Sequence, residues 1–220
     1  VKHLLKGWLE AAGLSKSDLS AMGIDAKACA RALKDMHAAC RDAWQCGFMR
    51  GFNGNMSVRL DREDGYALLV TGTCVAKGHL KPCDVALADE EGRGLHGPAI
   101  SSETAMHVAI YKKRPDVRYV LHVHPAAMLA LSLRVAEQDF LRMPLFEAET
   151  WRATLAIADA CEPGTEELAN STAEGFADPA IKAVFMRQHG LCTVGHAAVE
   201  AVGVCEQYEH LAQTQLFFLS

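Results

Sequence analysis

Apolar residues in the first part of the chain recur at spacings of three and four. Leu4, Leu5, Trp8, Leu9 and Ala12 make one face, interrupted at Gly13 and Gly23. That period predicts amphipathic helix, so residues 1–24 are expected to form an N-terminal helical extension serving as a lid, an oligomer contact or simple packing. A longer run with the same period follows. Ala30, Leu33, Met36, Ala39, Cys40 and Ala43 fall inward on a helix that Asp25 caps and that reaches about Gly47. The pattern then shortens to period two. Past the turn Gly51-Phe52-Asn53-Gly54-Asn55, Met56, Val58 and Leu60 alternate with other residues, Asp64-Gly65 signals a hairpin, and Tyr66 to Thr71 reads as the returning strand. A further strand near Val85 to Ala88 turns back at Glu91-Gly92.

In the second half, Ser101 or Ser102 is placed to cap a helix reaching Lys113 and stopped before Arg114-Pro115. Val117 to His124 has the composition of a buried strand, and Pro125 opens a short helix. Met143 to Phe146 predicts another strand, and Pro163-Gly164-Thr165-Glu166-Glu167 a loop entering a helix. Ile181 to Met186 and Leu191 to Val194 read as strands joined through Arg187-Gln188-His189-Gly190, and a last helix runs from Ala197 to near the end. There is no repeat and no linker, which makes residues 25–220 one α/β domain. Strands connected both by hairpins and through helices predict a mixed, mainly antiparallel sheet.

Composition narrows the class. Half of the 220 residues are hydrophobic, which is enough for a sizeable core. A formal net charge of -5 gives no electrostatic reason to expect nucleic acid or an anionic membrane as partner. No apolar run approaches the ~20 residues needed to span a bilayer, and Val1-Lys2-His3-Leu4 begins no secretory segment, so a cytoplasmic location is expected. The eight cysteines are scattered without a C-x-x-C pair and are expected as reduced thiols filling core space.

Candidate chemistry begins at His122-Val123-His124. Residues two apart on a strand point the same way, so both imidazoles face one point while Val123 faces the core. A pair of imidazoles suits an ion such as zinc, although two histidines at a strand end also occur without one. His189 sits at a turn between two apolar strands, where Gly190 permits sharp curvature. Three protein ligands with an open position would let a metal do chemistry rather than only hold the fold. Glu103, at a helix start, is favoured there by the helix dipole in any case. His107 shares its helix face and is expected to be packed or hydrogen-bonded locally, with a supporting contact to the site or a contact to substrate as the alternative. His79 is a weaker candidate, and His3, His37, His96, His196 and His210 carry no expectation beyond surface or helix positions. Gly54-Asn55 with Ser57, Thr71-Gly72-Thr73 and Ser101-Ser102 are polar turns of a kind that suits phosphate or carboxylate.

Taken in order, G-N-M-S-V-R (54–59), V-T-G-T (70–73), S-S-E-T-A-M-H (101–107), L-H-V-H-P (121–125), P-G-T-E-E-L-A (163–169) and R-Q-H-G-L (187–191) resemble the class II aldolase/adducin family over residues 28–217. The resemblance implies a three-layer α/β/α sandwich, a homotetramer with active sites between subunits, and zinc or another divalent transition metal. It matches His122, His124 and His189 to the three metal ligands, and Glu103 to the carboxylate that can ligate the resting metal and serve as acid/base. Asn55, Thr73, Ser101 and Ser102 match substrate-binding positions for a phosphate. The implied function is a metal-dependent lyase on a small sugar or sugar phosphate, with reversible aldol cleavage through a metal-stabilised enediolate. Dehydration, epimerisation and decarboxylation remain open on the same scaffold, as does a non-catalytic adducin-like binding module. The chain departs from the aldolase pattern at Phe52, where a small hydroxyl residue is usual, and at Cys74, where glycine is usual. Lys77-Gly78 is closer to the methylthioribulose-phosphate dehydratase branch, while 135–155 lacks that branch's landmarks, and no tail tyrosine matches the aldolases.

Overall fold

The computed structural model describes the backbone of residues 2–220 and the side chains of residues 6–220. Strands β1 (Asn55–Arg62), β2 (Gly65–Thr71), β3 (Val85–Ala88), β4 (Gly94–His96), β5 (Tyr119–Val123), β6 (Leu155–Ala158), β7 (Ala183–Met186) and β8 (Gly190–Gly195) form one sheet in the order β4-β3-β2-β1-β5-β8-β7-β6. Neighbours are antiparallel except β6 and β7. A parallel pair cannot close by a tight turn, and this one is joined through helix α7 (Glu166–Gly175), with Thr165 as its cap.

Alternation along the strands sorts the core onto two faces. Ala67, Leu69, Leu121 and Val123 belong to an apolar cluster with helices α3 (Ala26–Gln45), α5 (Ala126–Arg134) and α8 (Ala198–Phe218). Leu68, Val120, Val184 and Cys192 belong to a second cluster, with α4 (Thr104–Lys113) and α7. The result is the expected α/β/α sandwich around a mixed, mainly antiparallel sheet.

Helix α3 follows its sequence signals closely. The Asp25 side chain accepts from Ala28 N–H at 2.7 Å, a cap worth about 1 kcal/mol, and all six residues expected inward are buried. Ahead of it, α1 (Lys2–Ala11) and α2 (Lys16–Ala21) place Leu9, Ala12, Leu14 and Leu19 in the same cluster. Gly13 and Gly23 take the left-handed conformation that stops each helix. Leu4 and Leu5 lie outside the described side chains.

Several expectations need correction. Met143 to Phe146 is not a strand: it bends at Pro144 into helix α6 (Phe146–Arg152), and the strand, β6, comes later. Phe146 is 98% exposed, so the apolar run there does not mark a buried element. Strand β4 gave no signal, because its residues are exposed and its pairing with β3 is irregular. The first hairpin turns through Glu63-Asp64, with Gly65 already paired to Arg62. Neither Ser101 nor Ser102 caps α4; Glu103 holds that position, and Thr104 folds back on the Ser101 carbonyl through its N–H at 3.1 Å and its hydroxyl at 2.7 Å. All eight thiols are free, but only Cys29, Cys40, Cys192 and Cys205 are buried. Cys46, Cys74 and Cys83 are exposed, so core filling accounts for half the set.

Candidate metal centre

Strand β5 lies between β1 and β8, and its register sets His122 opposite Asn55 on one side and Cys192 on the other. His122 therefore points to the α4 face and is fully buried. His124 lies just past the strand end, its N–H donating to the Phe48 carbonyl at 3.0 Å. His189 is the last residue of the loop between β7 and β8, which Met186 and Gly190 close as a pair. The left-handed residue of that loop is Gln188 (φ +61°), not Gly190. Gly190 matters because of close approach. A Cβ there would lie 2.5 Å from the Val123 carbonyl oxygen and 3.0 Å from ring carbons of both His122 and His124.

The three rings meet with centroids 4.7 to 5.3 Å apart, and one nitrogen from each lies within 4.8 Å of the others. His122 Nδ1 donates to the Leu191 carbonyl at 3.1 Å, which leaves a bare lone pair on Nε2. That Nε2 is 3.0 Å from His124 Nε2 and 3.4 Å from Glu103 Oε2. His189 Nε2 is 3.0 Å from Glu103 Oε1. Asn55 Nδ2 donates to Glu103 Oε2 at 2.7 Å.

Burial pushes His122 down to about 3, with the Glu103 charge only partly opposing it. Burial lowers His124 as well, helped by His189. Burial alone would raise the Glu103 carboxyl, but the adjoining His189 and His122 rings and the Asn55 amide outweigh it and hold it at about 2. At neutral pH His122 and His124 are thus uncharged lone-pair donors beside an ionised carboxylate. Glu103 Oε1 and His189 Nδ1 are buried without a properly directed hydrogen-bond partner. Several acceptors crowd one point with too few protons among them, and a divalent cation is what such a set fits. Imidazole nitrogens with one carboxylate oxygen are zinc-type donors.

The structure brings Glu103, the three histidines and Asn55 together. Asn55 is 2% exposed and its amide is committed to Glu103 and His107, leaving only its backbone for a ligand. The turn carrying Thr73 runs beside the approach to Ser101, through a Gly72–Ile100 bridge and a Thr73 N–H bond to the Ala99 carbonyl. Thr73 and Ser102 are exposed and Ser101 is half-buried. Cys74 is left-handed (φ +54°), which explains why glycine is favoured at such a position. Phe52 is exposed, and its carbonyl accepts from the buried Lys77 ammonium at 2.8 Å. His79 packs against Trp44 and is not in the cluster. Two surface hollows, one lined by Leu141, Met143, Phe146 and Arg152 and one by Arg31, Asp35, Arg118 and His196, include none of the three histidines. Sequence reasoning assigned no role to Lys77 or Tyr111, and it grouped Ser57 with the anion-binding turns, whereas Ser57 is fully buried with its hydroxyl against His107 and Tyr111. A usable signal was present for Tyr111, which falls in the stripe 103, 107, 111 at helical spacing.

Fold and site together define an α/β protein with three imidazoles and a carboxylate, a set that could hold a metal ion, gathered on the α4 face of its sheet. The family model described as Class II Aldolase and Adducin N-terminal domain matches residues 34–216, and the chain belongs to the class II aldolase/adducin family. Curated relatives carry three activities in their names. An L-fuculose phosphate aldolase of Methanococcus maripaludis is 30% identical over 79% of this chain and 90% of its own. A 3-oxo-tetronate 4-phosphate decarboxylase of Haemophilus influenzae is 30% identical over 81% and 82%. A methylthioribulose-1-phosphate dehydratase of Methylococcus capsulatus is 39% identical, over 41% and 43%. The solved L-fuculose-1-phosphate aldolase of Thermus thermophilus superposes with a TM-score of 0.71 at 28% identity, covering 86% of this chain and 95% of that one. Among the described residues no helix is long and apolar enough to cross a membrane.

Proposed function

We infer that this protein is a zinc-dependent lyase on a small sugar phosphate, with reversible aldol cleavage as its reaction and Glu103 as the acid/base. The carrying observation is that the ring nitrogens of His122, His124 and His189 gather beside a buried Glu103 oxygen, Oε1, that lacks a directed donor. A divalent ion bound there supplies Lewis-acid polarisation of a hydroxyl-carbonyl unit. Glu103 is ionised and held through Oε2 by Asn55, so Oε1 is the atom that takes and returns the proton. A carboxylate at about 2 is a weak base while it lies against the histidines. Substrate that separates it from them removes the groups holding its pKa down, and burial then raises it. Thr73, Ser101 and Ser102, with the backbone of Asn55, bind the phosphate at the start of α4.

The same proton abstraction opens dehydration and decarboxylation. The equal identity to a decarboxylase and an aldolase favours keeping decarboxylation as the second reading. Exposed Leu133, Phe146, Phe217 and Phe218 support burial against further copies, in line with a homotetramer. Eight free thiols suit a reducing cytoplasmic setting.

Elemental analysis should find zinc in the wild type and lose it on dialysis of His122→Ala. The metal-loaded protein should exchange a carbon-bound proton of dihydroxyacetone phosphate with solvent deuterium. Glu103→Gln should slow that exchange by roughly 10²–10⁴-fold while keeping the ion. Undiminished exchange in Glu103→Gln, or metal retained in His122→Ala, overturns the assignment. Product analysis on sugar phosphates and on 3-oxo acid phosphates separates aldol cleavage from loss of carbon dioxide.

A further inference from the structure

Behind Glu103 runs a line of buried polar groups that the proposed chemistry does not use. Glu103, His107 and Tyr111 are successive fourth residues along the start and body of α4, while Asn55 and Ser57 are alternate residues of β1. Four helical residues rise about 6 Å and two strand residues about 6.8 Å, so the two stripes stay nearly in step where the helix lies over the sheet. Around them are Met106, Val108, Ile110 and Val120 of the apolar cluster. In such surroundings every polar atom needs a partner, and these atoms find one another.

The direction of the hydrogen bonds follows from the end of the line. A carboxylate only accepts, so Asn55 presents Nδ2 to Glu103 Oε2. Its Oδ1 then faces His107 Nε2, which must carry the ring proton. His107 is completely buried, and burial pushes it down to about 4, so its Nδ1 is bare and accepts from the Ser57 hydroxyl at 2.6 Å. The Tyr111 hydroxyl closes the line, 3.0 Å from Ser57 Oγ and 3.1 Å from the Arg118 carbonyl. The Ser57, His107 and Asn55 donors all point toward the carboxylate.

We propose that His107 is a positioning residue: through Asn55, backed by Ser57 and Tyr111, it pins Glu103 Oε2 beside His122 so that Oε1 stays turned to His189. This rests on the metal reading given above. Release of Oε2 lets the carboxylate rotate, and the ion loses a correctly aimed oxygen although no metal-facing residue has changed. Outer partners of this kind are worth about 10–100-fold in metal affinity.

The test is zinc affinity by competition with a chromogenic chelator, with thermal melting of each variant as the control for folding. His107→Leu should bind zinc about 10–100-fold more weakly, and His107→Gln, which keeps an N–H within reach of Asn55 Oδ1, should recover most of the loss. In a Glu103→Gln background His107→Leu should add less than about threefold, since the two act as one unit. Unchanged affinity in His107→Leu, no recovery in His107→Gln, or a full additional loss in the Glu103→Gln background overturns the proposal. If His107→Leu does not fold, Ser57→Ala replaces it, with a smaller loss expected and an unchanged affinity refuting. Nitrogen NMR of the metal-free wild type reads the relay directly. A neutral His107 carrying its proton on Nε2 is required, and an Nδ1–H tautomer overturns the relay even in a protein that takes up no zinc. Absence of zinc uptake by the wild type counts instead against the metal reading.

Discussion

Gly190→Ala is the most informative single substitution at the metal centre, because it alters no candidate ligand. The added Cβ would stand 2.5 Å from the Val123 carbonyl oxygen, well inside van der Waals contact, and 3.0 Å from carbons of both the His122 and His124 rings. Val123 is paired with Leu191 in the sheet, so its carbonyl can retreat only if β5 and β8 part. Overpacking at a site with no room costs about 1–3 kcal/mol, and the rigid carbonyl places this case toward the upper end. The two rings are displaced in the same movement, and misplaced ligands cost metal affinity by about 10–100-fold, the range seen for disturbed ligand orientation. Urea unfolding of the metal-free protein measures the first quantity and chelator competition the second. If Gly190→Ala unfolds at the wild-type urea concentration and binds zinc with wild-type affinity, the close-approach reasoning is wrong.

Two further outcomes follow from buried ionisable groups. Glu209, on α8, accepts from Ala127 N–H at 2.9 Å and Met128 N–H at 3.0 Å, capping α5 from outside, since Pro125 offers no side-chain cap. Glu209→Gln should cost about 1.5–3 kcal/mol in urea unfolding, the range for hydrogen bonds to charged groups; a change under about 0.5 kcal/mol would falsify the remote cap. The metal-free protein should also weaken as pH falls from 7 to 5. His107 at about 4 and His122 at about 3 both lie below the ordinary imidazole value of about 6.5, so the unfolded chain binds protons first and stability rises with pH. Each should contribute a loss of roughly 2 kcal/mol by pH 5. Glu103, held at about 2, adds its own loss only below about 4.5. A urea midpoint that is flat between pH 7 and 5 contradicts the neutral burial of these rings.

Much of the fold could be read from local patterns. The period-3.6 run behind Asp25 and the alternation of Met56, Val58 and Leu60 correspond to α3 and β1, because each element packs an apolar face into the core and its sequence records that face. Met143 to Phe146 misled for the same reason: apolar residues there are not all buried, and exposure is not written in the chain. Strand β4 is exposed along its whole length and left no alternation to read.

The site divides in the same way. Sequence by itself indicated that His122 and His124 turn to one point, since alternation is a property of the backbone, and the rings do meet although β5 ends at Val123 and His124 lies just beyond it. With the family resemblance it also singled out Glu103 and His189. Only the tertiary structure decided that β5 lies between β1 and β8, which puts Asn55 across from His122 and brings the His189 loop over both. Strand order depends on contacts between residues far apart in sequence, which no local period encodes. The stripe at 103, 107 and 111 was visible in the chain. Its meaning came from β1 lying beneath it, with Asn55 and Ser57 at a matching spacing.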